Sequence, residues 1–190
     1  MSDTNREASM YERMLAGHLY IASDPELSRL NRQAQQKLWQ LNTADPSAVD
    51  QQAILQDLLA AIGPNSEIKP PFRCDYGIHI TIGKGVFINY DCIILDCNRV
   101  TVGDRVLIAP KVQIYTATHP IDPAVRQEEW EYALPITIGD DAWIGGGAIV
   151  CPGVTIGEGS TIGAGSVVTR NIPPRVVAAG NPCRVIRELA

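Results

Sequence analysis

Ile138, Ile144, Val150, Ile156, Ile162 and Val168 recur at an unbroken spacing of six, and this pulse narrows the folds open to the chain more than any other feature. Gly139, Gly145, Gly157 and Gly163 each follow one of those apolar residues, and Ala142, Ala148, Val154, Thr161 and Val167 supply small or β-branched neighbours. Six matches neither the helical period of 3.6 nor the two-residue alternation of an amphipathic strand. It is the repeat of a parallel β-helix, in which each unit forms one short flat face of a coil. The aliphatic side chain points inward, and the glycine after it is read as permitting the tight corner.

The pulse also runs earlier in the chain. Ile82, Ile88 and Ile94 are six apart, as are Val102, Ile108 and Ile114, with a step of eight between Ile94 and Val102. The two extra residues are expected at a corner near Asp96 to Asn98. From Ile114 to Ile138 the step is 24, a multiple of six, yet residues 116–135 (TATHPIDPAVRQEEWEYALP) carry three prolines, clustered charge and no aliphatic beat. They read as an excursion that leaves the coil at a corner and returns in register. A long insertion that contains a histidine, His119, reads as functional.

The 190 residues suit one domain with a helical extension, and 45% hydrophobic content can supply its core. A net charge of −5 without a basic stripe argues against a nucleic-acid partner. No apolar run approaches the ~18 residues that span a bilayer, and MSDTNREASMYERM lacks the apolar core of a signal peptide. Cys74, Cys92, Cys97, Cys151 and Cys183 are odd in number and include no C-x-x-C pair, so they fit reduced thiols in a cytoplasmic protein. For Cys92 and Cys151, inside the repeat, packing is the simplest role.

Residues 1–65 are expected to form a helical cap. Met10, Met14 and Leu15 mark one helix ending near Gly17. Ser23-Asp24-Pro25-Glu26 marks a helix start, followed by a face of Leu27, Leu30, Ala34, Leu38 and Leu41. A third helix is expected after Asp45-Pro46-Ser47, with Ile54, Leu55, Leu58, Leu59 and Ile62 before Gly63-Pro64. The β-helix is assigned to residues 66–172, its pattern starting just after Pro70-Pro71, and a tail to residues 173–190. Because hydrogen bonds run between coils, both ends of the stack need covers, which the cap and tail can provide.

PPFRCDYG at 70–77, FINYDCIILD at 87–96, IAPKVQIYTATHPIDP at 108–123, ITIGDDAWIGGGAIVCPGVTIG at 136–157 and GAGSVVTRNIPPRVVAAGNPCRVI at 163–186 together resemble the hexapeptide-repeat acyltransferases. Within them the chain is most similar to the maltose and galactoside O-acetyltransferase group, including the opening helix MYERMLAGHLY. The resemblance implies a left-handed parallel β-helix, a homotrimer with sites between subunits, and acetyl transfer from acetyl-CoA to a sugar hydroxyl, with no metal.

That chemistry needs a base for the hydroxyl proton, stabilisation of the oxyanion and alignment of both substrates. The histidines are His18, His79 and His119; only His119 matches the family's catalytic residue, while the other two suit surface or cap roles. Its second ring nitrogen needs an acceptor, either a backbone carbonyl or a carboxylate, and Glu131 is the candidate carboxylate. The resemblance places Asn89 in the acceptor site, facing His119 of a neighbouring subunit, although a left-handed corner asparagine is an alternative. It also places Asp75 and Tyr76 against the sugar. The galactoside enzymes carry serine at the position of Asp75 and an acidic residue at that of Cys97, so Asp96 is an expected substitute. Their N-terminal acidic contact aligns near Ala22, with Asp24 as the nearest replacement. For coenzyme A the matching positions are Gly146, Ala164, Thr169, Arg170, Arg184 and Arg187. Small residues let the pantetheine arm approach the backbone, and cations meet phosphates. Trp143 could flank the thioester or pack between subunits, and the two tail arginines could equally be solvated.

A zinc-dependent carbonic anhydrase of similar fold needs three histidine ligands, whose spacing is missing here. A non-catalytic scaffold leaves the loop histidine unexplained. An acetyltransferase acting on an antibiotic hydroxyl shares the coil and histidine loop; the helical N-terminus favours the sugar group. Metal content, acetyl-CoA binding and acceptor screening separate these three in turn.

Overall fold

The computed structural model describes residues 8–45 and 47–189. Residues 1–7, part of the stretch read above for a signal peptide, and Pro46, part of the expected third helix start, lie outside the described residues. Helix α1 (Met10–Leu15) opens with a capping box between Ser9 and Glu12, and strand β1 (Tyr20–Ile21) follows. The carboxylate of Asp24 accepts from the amides of Glu26 and Leu27 at the start of α2 (Pro25–Thr43), which buries Leu27, Ala34, Leu38 and Leu41. Helix α3 (Gln51–Leu58) starts later than expected, because Asp50 is its N-cap and bonds the amide of Ala53.

The coil then begins within the segment assigned to the cap. Its first turn is β2 (Ala61–Ile62), β3 (Glu67–Ile68) and β4 (Phe72–Cys74), so β structure precedes Pro70-Pro71. The second turn is β5 (Ile80–Ile82), β6 (Phe87–Ile88) and β7 (Cys92–Leu95); the third is β8 (Val100–Val102), β9 (Leu107–Ile108) and β10 (Gln113–Tyr115). The excursion holds β11 (Ala117–Thr118), α4 (Pro123–Gln127) and β12 (Trp130–Ala133). The coil resumes with β13 (Ile136–Ile138), β14 (Trp143–Ile144) and β15 (Ile149–Val150), then β16 (Thr155–Ile156), β17 (Thr161–Ile162) and β18 (Val167–Val168). A partial sixth turn, β19 (Val176–Ala179), is covered by the antiparallel β20 (Arg184–Glu188). The result is a parallel β-helix of three faces. Strands β2, β5, β8, β13 and β16 make the first; β3, β6, β9, β14, β17, β19 and β20 the second; β4, β7, β10, β15 and β18 the third.

The sixfold residues form the core. Ile82, Val102, Ile138 and Ile156 stack on the first face, Ile68, Ile88, Ile108, Ile144 and Ile162 on the second, and Ile94, Ile114, Val150 and Val168 on the third, all buried. Each such side chain contributes about 1.5–3 kcal/mol on burial. Outward positions differ by face. The first presents Thr81, Thr101, Thr137 and Thr155 in an exposed ladder, whereas the second presents Phe87, Leu107 and Trp143.

The glycine that follows each apolar residue serves close stacking rather than a left-handed corner. A Cβ on Gly145 would lie 2.5 Å from the amide nitrogen of Ala164 in the next coil. The left-handed residue comes two positions later, at Gly147 (φ 69°) or, after Gly139, at Asp141 (φ 58°).

All extra length sits at one corner, between the third and first faces. Cys74 to Ile82 and Ile94 to Val102 are steps of eight, and the excursion leaves from the same edge one turn later. Asp96, fully buried there, accepts from the amides of Asp75 (3.0 Å), Tyr76 (2.8 Å) and His79 (3.3 Å) in the preceding turn. Asn98 donates from Nδ2 to the carbonyls of Met14 (3.1 Å), Leu15 (3.3 Å) and Ala133 (2.9 Å), tying helix α1 and the returning strand of the excursion to the coil. No helix of the described residues is long and apolar enough to cross a membrane.

Candidate active site

The excursion folds back on itself as an antiparallel pair, Ala117 opposite Ala133 and Thr118 opposite Tyr132. The N-terminal strand adds to the outer edge of that hairpin, Tyr20 opposite Glu131 and Ile21 opposite Trp130. His119 follows β11 directly and is exposed. A cavity of about 370 Å³ lies between the two segments, lined by Ile21, Ala22 and Ser23 on one side and His119, Arg126, Glu129 and Glu131 on the other.

Nδ1 of His119 lies 3.5 Å from the carbonyl oxygen of Trp130. A carbonyl only accepts, so this contact favours the tautomer with the proton on Nδ1, in which the Nε2 lone pair is the basic site. The orienting acceptor is therefore a backbone carbonyl, and the expected role of Glu131 is corrected: its carboxylate accepts from the hydroxyl of buried Tyr20 at 3.0 Å. Arg126 donates to the carbonyls of Pro120 (3.0 Å) and Ile121 (3.1 Å), bracing the turn beyond His119. Arg126 and Glu129 carry no signal in the sequence beyond the clustered charge of the excursion, and of the Ile21–Ser23 wall only Ala22 is marked, by the resemblance.

Behind the cavity, Tyr20 leads to a polar seam in which the Cys97 thiol donates to Asp75 at 3.3 Å. Burial is the main cause that pushes the Asp75 carboxyl up to about 6, with the charges of Asp96 and Glu131 adding to it against the thiol's hydrogen bond. The same burial, and then the charge of Asp75, hold the Cys97 thiol protonated. Asp75 is partly buried and feels the charge of Glu131. Three expectations are corrected. Asp96 cannot touch a sugar, because it is fully buried and its oxygens serve the amides of the preceding turn. Tyr76 is also buried, packed with Met14, Tyr20 and Leu27. Asp24 is committed to the N-cap of α2, so the N-terminal segment presents Ala22 and Ser23 rather than Asp24 to the cavity.

Of the other histidines, His79 is a buried strut, its Nδ1 2.6 Å from the Asp96 carbonyl and its Nε2 3.2 Å from the Tyr11 hydroxyl. Asn89 lies at the corner between the second and third faces, with Oδ1 accepting from the Tyr90 amide at 2.8 Å. It is not left-handed; Asp91 occupies that conformation (φ 62°). Gly146 and Ala164 sit at the same corner two and three turns on, and Trp143, 53% exposed, stands on the second face beside them. Arg187 pairs with Val177 and Arg184 with Ala179 at the end of that face, both exposed. Thr169 and Arg170 are exposed at the other corner, below the excursion. Within one chain, the third face separates His119 from Asn89 and the small-residue corner. Among the described residues no group of three His, Cys, Asp or Glu side chains is placed to hold a metal ion.

A parallel coil of hexapeptides with a histidine on a single excursion is the architecture expected of a hexapeptide-repeat transferase. The comparisons agree. Residues 13–63 match the maltose acetyltransferase hexapeptide capping motif and residues 135–170 the six-repeat bacterial transferase hexapeptide model. Nodulation protein L of Rhizobium meliloti is 50% identical over 92% of this chain and 96% of its own. A maltose O-acetyltransferase structure from Clostridium difficile superposes with a TM-score of 0.95 at 44% identity, covering 96% of this chain and 98% of that one. A galactoside acetyltransferase structure in complex with coenzyme A gives 0.93 at 41% identity, covering 96% and 92%. The chain belongs to the hexapeptide-repeat acetyltransferases of the maltose and galactoside O-acetyltransferase group.

Proposed function

We propose that this chain transfers the acetyl group of acetyl-CoA directly to a hydroxyl of a sugar of the maltose, glucose or galactoside type, with His119 as general base. The observation that carries this reading is the Nδ1 contact of His119 with the Trp130 carbonyl, which leaves Nε2 as the proton acceptor of a residue lining an open cavity. The acceptor O–H gives its proton to Nε2 as the oxygen attacks the thioester carbon. The C–S bond then breaks, and the imidazolium returns the proton to the leaving sulfur. Asp75 and Glu131 supply carboxylates on the acceptor side. For the donor, Gly146 and Ala164 leave room for the pantetheine arm, Trp143 flanks it, and Thr169, Arg170, Arg184 and Arg187 meet the polar and phosphate groups.

The separation of His119 from Asn89 within one chain supports a homotrimer, in which Asn89 of one copy reaches the His119 corner of another. The exposed Leu107 and Trp143, against the threonine ladder of the first face, give that association an apolar surface. The five free thiols fit a cytoplasmic setting.

Turnover of acetyl-CoA should be measured with maltose, glucose, galactosides and chloramphenicol, with one added acetyl group confirmed by product mass. A sugar should be the best acceptor, and preference for chloramphenicol would instead favour the antibiotic reading. His119→Ala should lower the rate by roughly 10²–10⁴-fold while leaving acetyl-CoA affinity intact; a mutant of near wild-type rate would overturn the assignment. Light scattering should give three times the 20.6 kDa chain mass.

A further inference from the structure

The carbonyl that orients His119 belongs to a strand held from its outer side by the N-terminal segment, and one arginine makes that hold specific. Arg13, in helix α1, donates from Nε to the carbonyl of Leu19 at 2.6 Å, just ahead of β1. Its guanidinium carbon lies 5.5 Å from the ring centroid of Trp130. The indole N–H of Trp130 in turn donates to Glu128 at 3.2 Å, which fixes the ring plane against the end of α4. Residue 130 also pairs with Ile21 of β1. One planar cation thus joins the turn before β1 to the side chain whose backbone carbonyl faces Nδ1 of His119.

We propose that Arg13 is a positioning residue for the proton-transfer step: by clamping Trp130 to the Leu19 turn it sets the place of the Trp130 carbonyl, and through it the orientation of His119. A guanidinium can donate in its own plane while its face lies on an indole, whereas an ammonium is a point charge without a face. Arginine is therefore required and lysine is a poor substitute. The strands involved are two residues (β1) and four residues (β12) long, so ladder hydrogen bonds alone leave the register of this edge weakly held. Neither Arg13 nor Trp130 lines the cavity.

This inference rests on His119 being the base, and its test separates the two. Arg13→Ala, Arg13→Lys, Trp130→Ala and Trp130→Phe should be made in the full chain, and Arg13→Ala also in the His119→Ala background. A misplacement of about 1 Å costs on the order of a hundredfold. Arg13→Ala and Trp130→Ala should therefore lower kcat by about ten- to a hundredfold, with KM for acetyl-CoA within about twofold. Trp130→Phe, which keeps a ring face, should recover most of the rate, and Arg13→Lys should recover little. In the His119→Ala background Arg13→Ala should change the residual rate by less than about twofold, because the group it positions is gone. An equal loss in both backgrounds would overturn the proposal and leave Arg13 a structural residue, as would full activity in Arg13→Lys. If Arg13→Ala does not fold, Arg13→Lys and Trp130→Phe carry the same comparison. His119→Ala at near wild-type rate would instead refute the base assignment itself.

Discussion

Asn98→Ala should loosen the expanded corner from three sides at once. The side chain amide reaches the carbonyls of Met14, Leu15 and Ala133, and its Oδ1 accepts from the Arg99 amide at 2.8 Å. Two amide protons serve three carbonyls, so the loss corresponds to two full hydrogen bonds and one shared one, at about 1 kcal/mol each. The Met14 carbonyl keeps its bond from Gly17 (3.2 Å), which limits the added cost of orphaned groups. We expect a destabilisation of about 2–4 kcal/mol, or a fall in Tm of roughly 5–10 °C for a chain of this size. Thermal and urea unfolding at fixed protein concentration measure it. Because the same carbonyls anchor α1 and the returning strand of the excursion, turnover should fall alongside stability. Asn98→Asp should be worse than Asn98→Ala at pH 8, since it sets an unpaired carboxylate against the same oxygens. An Asn98→Ala variant within 2 °C of wild type and fully active would show that the three segments are held by apolar packing alone, and the reasoning would fail.

Cys97, although bonded to Asp75, should form no acetyl-enzyme, because burial and the charge of Asp75 keep its thiol protonated; intact mass after incubation with acetyl-CoA but no sugar checks this, and an adduct lost on adding sugar would replace direct transfer with a two-step route. Asp75→Asn should be more stable than wild type at pH 8. The native carboxyl titrates near 6 against 3.8 unfolded, so the native state binds the extra proton between those values and wild-type stability falls as pH rises through that window. The gain should be at most about 3 kcal/mol and vanish by about pH 4; a gap independent of pH would refute it. Comparing the two proteins at each pH removes the opposing contribution of His79, whose protonation burial resists.

The coil was legible because its rule is local: each inward residue is aliphatic and the step rarely varies from six. The start of the coil was not. Ile62 continues the apolar face of α3 as well as it begins the first face, and the Cys74 to Ile82 step carries the same two-residue excess as the next turn, so neither announced itself. The cap before α2 was legible from Asp24-Pro25, whereas Asp50 was hidden by the more conspicuous Asp45-Pro46. In the site, His119 stood out through its loop. Asp96 misled because a carboxylate beside a polar corner looks the same in sequence whether it faces solvent or the amides of the preceding turn; only the stacking of successive turns decides. Glu131 lines the same cavity as His119 but bonds Tyr20, and the Trp130 carbonyl that faces His119 leaves no mark in a sequence.

The single expanded corner has a consequence for what this architecture can tolerate. Ile136–Ile138 pairs with Val100–Val102 as though no chain intervened, although 36 residues separate Val102 from Ile138 against 18 between Ile138 and Ile156. Doubling the length of a closed loop costs only about 0.6 kcal/mol in chain entropy, less than one buried isoleucine contributes. An excursion at this edge is therefore nearly free, and the ladders on either side close over it. The other two corners enjoy no such licence, because there the backbone of one coil lies within van der Waals reach of the next. Diversity in what the fold acts upon is thus channelled to one edge, and the rest of the prism can stay unchanged while that edge is rewritten.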